Sequence, residues 1–250
     1  MLNGRRVAVV VPAYNEAPRI ARVLGSMPGY VDDVVVVDDA SEDGTAAVVR
    51  SIDERRVRIV EHDENRGVGA ALATGYRLAF EGGADVTAVM AGDGQMHPDD
   101  LEGLLGPVLT GQAEYTKGNR LHYPDAYRHM PPQRWIGNQL LSYATRAVTG
   151  LRVADSQCGY TAISRAAHES LPWQSVWRGY GYPNDLLGWL SQSGARVRDV
   201  VVRPVYADEV SGIRIRHALL VIPYVLLRVL LRRMRKADAR DTDSACASGF

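Results

Sequence analysis

The chain has 250 residues, 46% of them hydrophobic, and its 29 basic side chains equal its 29 acidic ones. This length is enough for one sizeable core or two small ones, and the balanced charge argues against binding to nucleic acid or another general polyanion. Its two cysteines, Cys158 and Cys246, lie far apart, which excludes a disulfide framework and a multi-cysteine zinc site and favours a reducing cytoplasm.

Short β-branched segments alternate with longer amphipathic segments over residues 6–117. The predicted strands are residues 6–11, 33–37, 57–60, 85–90 and 114–117, and the predicted helices are residues 16–26, 43–53, 68–80 and 98–109. The N-terminal apolar run is too short for a signal peptide and fits the first strand. Alternation of this kind predicts an α/β fold with a single, mostly parallel, doubly wound sheet flanked by helices.

The second half of the chain is less regular. After a long polar loop (119–133), the predicted elements are a helix (135–148), a short strand ahead of DSQCGY (155–160), a helix (183–193) and a strand (196–202). Residues 213–236 form the last element, and the small, polar tail 237–250 is predicted to be disordered. No stretch approaches the ~20 apolar residues of a membrane-spanning helix.

Four predicted strands end in polar loops that contain acids and, in all but the first, glycines. These loops are PAYNE (12–16), DDASEDGT (38–45), HDENRGVG (62–69) and AGDGQMHPDD (91–100). Ligands of open parallel sheets bind beyond the carboxyl ends of the strands. GVGAAL (67–72) lacks the third glycine of a dinucleotide fingerprint, and no P-loop motif occurs. Carboxylates without a phosphate-cradling loop favour a divalent cation that screens a diphosphate.

The polar residues at these strand ends divide into two groups. Ser41 and Asp43 are expected to cap the second helix. The pair at 38–39 and Asp93 are expected to face a ligand. Gly92 and Gly94 flank Asp93, and two residues without side chains would let the backbone and a diphosphate approach each other closely.

Five blocks in the sequence resemble a known family. They are VVPAYNE (10–16), VVDDASEDGT (36–45), NRGVGAALATG (65–75), DGQMHPDD (93–100) and DSQCGY (155–160). In order and spacing they resemble the GT-A, family 2 glycosyltransferases, and most closely the dolichyl- or polyprenyl-phosphate sugar (mannose or glucose) synthases. The likeness covers residues 6–210 and implies a GT-A domain over residues 1–212, followed by a basic amphipathic helix (213–236) and the tail (237–250).

The resemblance also implies roles for individual residues. Donor binding is expected of Pro12, Tyr14, Glu16, Asp39, Arg66, Gly67, Gly92 and Asp93. Mg²⁺ or Mn²⁺ on the diphosphate of a UDP- or GDP-linked sugar is expected to bind Asp93 and Gln95. Acceptor binding is expected of Arg120, Arg134, Asp155 and Gln157. The expected catalytic residues are Asp93, Asp185, Arg120 and Arg134.

One residue departs from the pattern of the resembling enzymes. Ala91 occupies the position where they usually carry the first acid of Asp-x-Asp-x-Gln. One carboxylate, Gln95, the diphosphate and water still make an adequate set for Mg²⁺. His97 is a further candidate ligand, although a surface residue at a helix start is the preferred interpretation.

The chemical nature of the acceptor stays open at the sequence level. A phosphate acceptor is already anionic and needs cations, which Lys117, Arg120, Arg128 and Arg134 supply in or beside the polar loop. A hydroxyl acceptor requires a general base, and Asp185 is the candidate because inverting relatives place a carboxylate at the matching helix start. Asp185 equally suits a helix cap. Residues 208–209 lie where relatives have a mobile loop.

The last predicted helix bears on the acceptor too. Residues 213–236 contain seven Arg or Lys and no acid around an apolar centre, a composition typical of a helix on an anionic membrane surface. We therefore expect a polyprenyl-phosphate glycosyltransferase, peripheral at the cytoplasmic, inner face of a membrane. Two alternatives remain: a soluble family 2 enzyme with a hydroxyl or amine acceptor, and a non-catalytic nucleotide-sugar binder, which Ala91 suggests.

Overall fold

A computed structural model gives the fold, and it describes residues 1–206 and 220–247, with side chains described as far as residue 236. The strands are β1 (Val7–Ala13), β2 (Asp33–Asp38), β3 (Val57–Glu61), β4 (Val86–Val89), β5 (Tyr115–Asn119), β6 (Thr161–Ser164) and β7 (Val197–Val201). They form one sheet in the order β3-β2-β1-β4-β6-β5-β7. β6 is antiparallel to β4 and β5, and the other pairings are parallel. The predicted single, mostly parallel sheet is confirmed.

Helices connect these strands and cover both faces of the sheet. They are α1 (Ala17–Gly25), α2 (Thr45–Arg50), α3 (Val68–Glu81), α4 (Leu101–Leu109), α5 (Ala126–His129), α6 (Pro132–Thr149), α7 (Arg165–Glu169), α8 (Tyr182–Ser193) and α9 (Ile222–Ala247). Two short 3₁₀ turns, Pro98–Asp100 and Trp173–Ser175, complete the set.

The unbroken valine runs of the central strands explain the two-sided core. Neighbouring residues of a strand point to opposite faces, so Val9 packs in one core with Ile20 and Leu104, whereas Val10 packs in the other with Leu72. β1 and β2 are buried along their whole length. Both faces are therefore closed, and only the edges at the strand ends are free for a ligand.

The register of the parallel strands places their carboxyl ends side by side. Ala13 at the end of β1 pairs with Asp38 of β2, which in turn pairs with Glu61 of β3. β4 lies beside β1 on the other side, with Val10 opposite Val89. The four acid-bearing loops consequently meet at one edge of the sheet, as the sequence predicted.

The short strand of the second half lies later than predicted. Residues 151–160 form loop and turn, and the strand is β6, which follows DSQCGY instead of preceding it. β6 is held by antiparallel pairing with β4 and β5, residues far away in the sequence. No local sequence pattern predicts this strand, because its pairing depends on residues that are distant in the sequence.

The C-terminal helix α9 is described from Ile222 to Ala247. The division of this region into a basic helix (213–236) and a disordered tail (237–250) stays a prediction. Residues 207–219, and with them the start of the predicted basic helix and the loop at 208–209, lie outside the described residues. In the described ranges, no helix is long and apolar enough to cross a membrane.

Candidate active site

The loop after β4 brings Asp93 to the ligand edge, next to Glu16 from the loop after β1. Asp93 Oδ1 accepts a hydrogen bond from Gln95 N at 3.0 Å, so the two predicted metal ligands lie in one turn. Burial and the neighbouring Asp93 carboxylate raise the pKa of Glu16, although the Arg19 guanidinium lies 3.2 Å from it. Two carboxylates are thus held together at the cost of mutual repulsion.

This acidic pair fits a hard divalent cation that arrives with a diphosphate. In the described part of the chain, no group of three or more His, Cys, Asp or Glu side chains is arranged to hold a metal ion. Mg²⁺ and Mn²⁺ sites of nucleotide enzymes commonly take one or two carboxylates and complete their shell with phosphate oxygens and water. Glu16 and Asp93 supply that number despite Ala91. His97 instead accepts from Asp99 N at 3.3 Å at the start of a 3₁₀ turn, as the preferred interpretation had it.

The repulsion between Glu16 and Asp93 leads to a prediction about stability. Without metal, Asp93→Asn should raise the melting temperature at pH 7, by roughly 2 °C, because the ionised Glu16 loses an anionic neighbour. A carboxyl whose pKa is raised by folding destabilises the fold only when ionised, so the gain should vanish near pH 4. Melting curves from pH 4 to 8 measure it, with the exposed Asp99→Asn as the matched control. A gain that grows towards acid pH would contradict the repulsion.

Asp39, a residue expected at the donor, binds backbone amides of the loop after β3. Its Oδ1 accepts from Arg66 N at 3.0 Å and its Oδ2 accepts from Gly67 N at 2.7 Å. His62 Nδ1 lies 2.7 Å from the same Oδ1, and His62 Nε2 lies 3.0 Å from Thr74 Oγ1. The structure thus brings together three residues expected at the donor, and adds His62. A polar residue directly after β3 was the available signal for His62.

The other residues expected at the donor differ in exposure. Tyr14 is exposed at the rim, whereas Pro12 is buried within β1 and accepts from Gly92 N at 3.1 Å. A Cβ on Gly92 would lie 3.1 Å from Ile20 Cδ1, so the glycine fits a tight contact beneath Asp93. Gly94 has a φ of +77°, which glycine adopts freely. Pro12 and Gly92 therefore fix the backbone next to Asp93 at the sheet edge.

Of the two residues expected to cap the second helix, Asp43 contacts the start of α2, whereas Ser41 contacts the loop after β1 and Asp38. Asp43 accepts from Thr45 N at the start of α2 and from Ala17 N at the start of α1, both at 3.0 Å. Ser41 accepts from Asn15 N at 2.8 Å and donates to Asp38. The Asp38 carboxylate is therefore engaged in the turn at 38–41. Asp39, its neighbour, is the acid that contacts the loop at 66–67.

The acceptor side contains a buried ion pair between two predicted residues. Arg120 donates to Asp155 through Nε at 2.7 Å and through Nη2 at 3.1 Å, and Asp155 is fully buried. Burial alone would raise the pKa of Asp155, but the Arg120 guanidinium and the nearby Lys117 ammonium hold it below its ordinary value. Burial lowers the pKa of Lys117, which donates to the Cys158 carbonyl. Asp155 therefore balances the charge of Arg120, with which it forms the ion pair.

Arg134 has a more open environment than Arg120. Its guanidinium lies 5.3 Å from the centre of the Tyr206 ring, and the Tyr206 hydroxyl accepts from Arg120 Nη1 at 3.4 Å. Among the described residues, Arg134 has no carboxylate within ion-pair distance. Tyr206, which the sequence did not single out, joins the two arginines. Of the two, Arg134 is the better placed to meet an incoming anion.

Gln157 contacts the first turn of α8, which also contains Asp185. Gln157 Nε2 donates to Asn184 Oδ1 at 3.2 Å. Asp185 is fully buried, and its two oxygens accept from Trp177 N at 2.9 Å and from Arg232 Nη1 of α9 at 3.1 Å. Both oxygens of the predicted base are thus engaged in hydrogen bonds within the domain, which link α8 to the loop before it and to α9.

Comparisons with known proteins identify the family of this chain. A sequence model described as Glycosyl transferase family 2 matches residues 8–171. The UDP-N-acetylglucosamine–dolichyl-phosphate N-acetylglucosaminyltransferase of Methanococcus voltae is 29% identical over 81% of this chain and 86% of the relative. The undecaprenyl-phosphate mannosyltransferase of Micrococcus luteus is 30% identical over 83% of this chain and 88% of the relative.

Crystal structures of glucosyl-3-phosphoglycerate synthase from Mycobacterium tuberculosis have a similar fold. Its complex with phosphoglyceric acid has a TM-score of 0.70 at 24% identity, over 91% of this chain and 80% of that chain. Its complex with Mn²⁺, UDP-glucose and phosphoglyceric acid has a TM-score of 0.65 at 25% identity, over 92% and 80%. The predicted GT-A fold is confirmed.

Proposed function

The chain belongs to glycosyl transferase family 2, and from this premise we propose that it is an inverting enzyme that transfers a hexose from a nucleoside-diphosphate sugar to a polyprenyl phosphate. The main support for the acceptor is that relatives aligned over four fifths of the chain are named for transfer to dolichyl and undecaprenyl phosphate. Further support comes from the residues at the sheet edge. Asp39 and Asp93 lie on the side proposed for the donor, and Arg120 and Arg134 lie on the side proposed for the acceptor.

On the donor side, Asp39 holds the turn at 66–67 that faces the nucleotide. Asp93 and Glu16, with Gln95, would hold Mg²⁺ or Mn²⁺ against the diphosphate. The cation, when bound, would stabilise the negative charge that develops on the leaving diphosphate.

On the acceptor side, an oxygen of the lipid phosphate attacks the anomeric carbon from the face opposite the leaving group. The bond between this carbon and the diphosphate oxygen breaks, and its electron pair leaves with the nucleoside diphosphate. A phosphate oxygen is already anionic near neutral pH, so no proton needs removal and Asp185 is not required as a base. Arg134, which forms no ion pair among the described residues, supplies the charge that orients the phosphate, and Arg120, fixed by Asp155, limits where it can lie.

The lipid tail requires an apolar surface, and α6 and α9 supply one. The apolar side chains that face solvent are Ile136, Leu140 and Tyr143 of α6 and Tyr224, Leu227, Leu231 and Met234 of α9. The two helices contact each other, and α6 also carries Arg134 in its first turn. Large exposed apolar patches on soluble domains commonly mark interaction sites. We assign this surface to the inner face of a membrane.

The basic residues of α9 have an arrangement that a simple amphipathic pattern does not predict. Three of them donate to backbone carbonyls of the domain: Arg228 to Ser175 at 2.6 Å, Arg233 to Val148 at 2.8 Å and Lys236 to Gln192 at 2.6 Å. These bonds hold α9 against the domain, and they leave apolar residues on its outer side.

Membrane contact through this surface can be tested by a single charge. Leu231→Glu should weaken binding to phosphatidylglycerol-containing vesicles at least about tenfold, because a buried leucine contributes roughly 1.5–3 kcal/mol. Vesicle flotation measures the bound fraction. The matched control is Val201→Glu, which places the same charge on an exposed apolar residue of the edge strand β7. Equal binding of the two variants would exclude the α6–α9 surface.

Transfer itself is tested with labelled UDP- and GDP-sugars, Mg²⁺ or Mn²⁺, and polyprenyl phosphate present or absent. We expect label in an organic-extractable product only when the lipid is present, and the donor that supplies it is thereby identified. Nucleoside diphosphate released with a water-soluble hydroxyl or amine acceptor, and no lipid product, would support the soluble family 2 enzyme instead. Donor binding without transfer to either acceptor would indicate a non-catalytic binder.

A further inference from the structure

The C-terminal helix lies unusually close to α8. A Cβ on Gly188 would lie 2.6 Å from Val229 Cγ1 of α9, so this contact needs a glycine. Beside it, Arg232 turns inward: its guanidinium carbon lies 3.7 Å from the centre of the Trp189 ring, and its side chain is 17% exposed. Although Arg232 is part of a basic helix, it is turned away from solvent and from any lipid surface.

Arg232 is the first member of a series of contacts that leads towards the donor. It donates to Asp185 Oδ1 at 3.1 Å, and the other oxygen of Asp185 accepts from Trp177 N at 2.9 Å. The next residue, Arg178, accepts through its carbonyl from Gly69 N at 2.6 Å. The contacts thus lead from α9 through α8 and the 177–178 loop to the first turn of α3.

The contact between the 177–178 backbone and α3 leaves little freedom. Cβ atoms built on Gly67 and Gly69 would lie 2.6 Å from the Arg178 carbonyl oxygen and 2.3 Å from the Trp177 carbonyl oxygen. Gly67 N is at the same time bound to Asp39 at 2.7 Å. A displacement of the 177–178 backbone must therefore displace the turn that Asp39 holds.

We propose that Arg232 is a positioning residue for the donor: through Asp185 and the 177–178 backbone it sets the position of the turn at 66–69. The proposal rests on the proposed function only for the class of donor, a nucleoside-diphosphate sugar. It gives Asp185 the role of a connecting residue. It also explains why the carboxylate at the start of α8 is paired with a helix at the end of the chain, and why that helix packs so closely on α8.

The experiment measures nucleotide binding by Arg232→Met, with the full chain and with UDP and GDP as probes, each with Mn²⁺. We expect the Kd of the nucleotide that binds to rise about tenfold, within the range common for coupled sites. In the folded variant the amide of Gly69 should exchange its hydrogen faster. The matched control is Arg77→Met, which removes an exposed arginine that pairs with Glu81 on α3 and should leave the Kd unchanged.

Two further variants distinguish a positioning role of Arg232 from a merely structural one. If Arg232→Met fails to fold, Arg232→Lys keeps the charge but lacks the planar fork, and it should raise the Kd less strongly. In Asp185→Asn combined with Arg232→Met, the Kd should equal that of the worse single variant, because both act through one contact. A folded Arg232→Met or Arg232→Lys protein with unchanged Kd and unchanged Gly69 exchange overturns the proposal, as do independent, additive losses in the double variant.

This outcome is independent of the acceptor. If no lipid product forms but nucleotide binding weakens in the Arg232 variants, the proposed acceptor is wrong and the positioning role stands. If lipid transfer is found and the Kd of the Arg232 variants is unchanged, the proposed acceptor stands and the positioning role is wrong. When both wild-type and variant transfer sugar, the KM for the donor should rise in the variant while the KM for the acceptor stays the same.

Discussion

Replacing Asp93 with asparagine is expected to lower the rate of sugar transfer by a factor of about 10²–10³, while the fold is kept. Asparagine can still accept the hydrogen bond from Gln95 N, so the turn stays intact. What is lost is the negative charge that, with Glu16, would bind a divalent cation on the diphosphate. Because charge develops on this group as the sugar leaves, the loss acts mainly on kcat.

The matched control for this variant is Asp99→Asn in the same segment. Asp99 is exposed and pairs with Arg203, away from the Glu16–Asp93 pair, so its rate should be close to that of the wild type. Steady-state kinetics at saturating Mn²⁺ compare the two variants. Transfer by Asp93→Asn at more than a tenth of the wild-type rate would mean that Asp93 is not the metal-binding carboxylate of this enzyme.

Replacing Arg120 with methionine is expected to cost about 3–5 kcal/mol of unfolding free energy, because it leaves the Asp155 carboxylate buried without its principal partner. Asp155 is fully buried and accepts two side-chain hydrogen bonds from Arg120. Urea denaturation measures the loss. The matched control, Arg77→Met, breaks an exposed pair and should change the unfolding free energy by less than about 1 kcal/mol.

The pH dependence of this loss follows from the pKa of Asp155. In the wild type the pair holds that pKa below its ordinary value, so its contribution is present at neutral pH and is lost as the pH falls through the lowered pKa. In Arg120→Met, burial instead favours the protonated carboxyl, so the deficit should be largest at pH 7 and shrink towards pH 4. Asp155→Asn combined with Arg120→Met should regain part of the stability. A deficit that grows in acid would contradict the buried ion pair.

The sequence predicted the parts of the fold that local patterns determine. Unbroken valine runs and strand–helix alternation indicated a buried parallel sheet, and polar residues after each run indicated the ligand edge. β6 was misplaced because its antiparallel pairing with β4 and β5 is non-local. The disorder of the tail was predicted from its composition alone and stays a prediction.

For the candidate site, the sequence indicated which residues gather but not how they pair. Arg120 and Asp155 were both expected on the acceptor side, yet nothing in the sequence shows that they neutralise each other. Asp185 and Arg232 are 47 positions apart, and each alone has an ordinary interpretation, as a helix cap and as part of a basic helix. Pairing of this kind depends on how helices pack, and it changes the expected role of both residues.

The measurement that tests the proposed function most directly compares two acceptors that differ in one group. Initial rates of sugar transfer to a polyprenyl phosphate and to the polyprenol of the same length are determined with the active donor and Mn²⁺. We expect transfer to the phosphate alone, since Arg134 has an anion to orient and the candidate base, Asp185, is bound by Trp177 N and Arg232 Nη1. Transfer to the polyprenol at a comparable rate would contradict a phosphate acceptor.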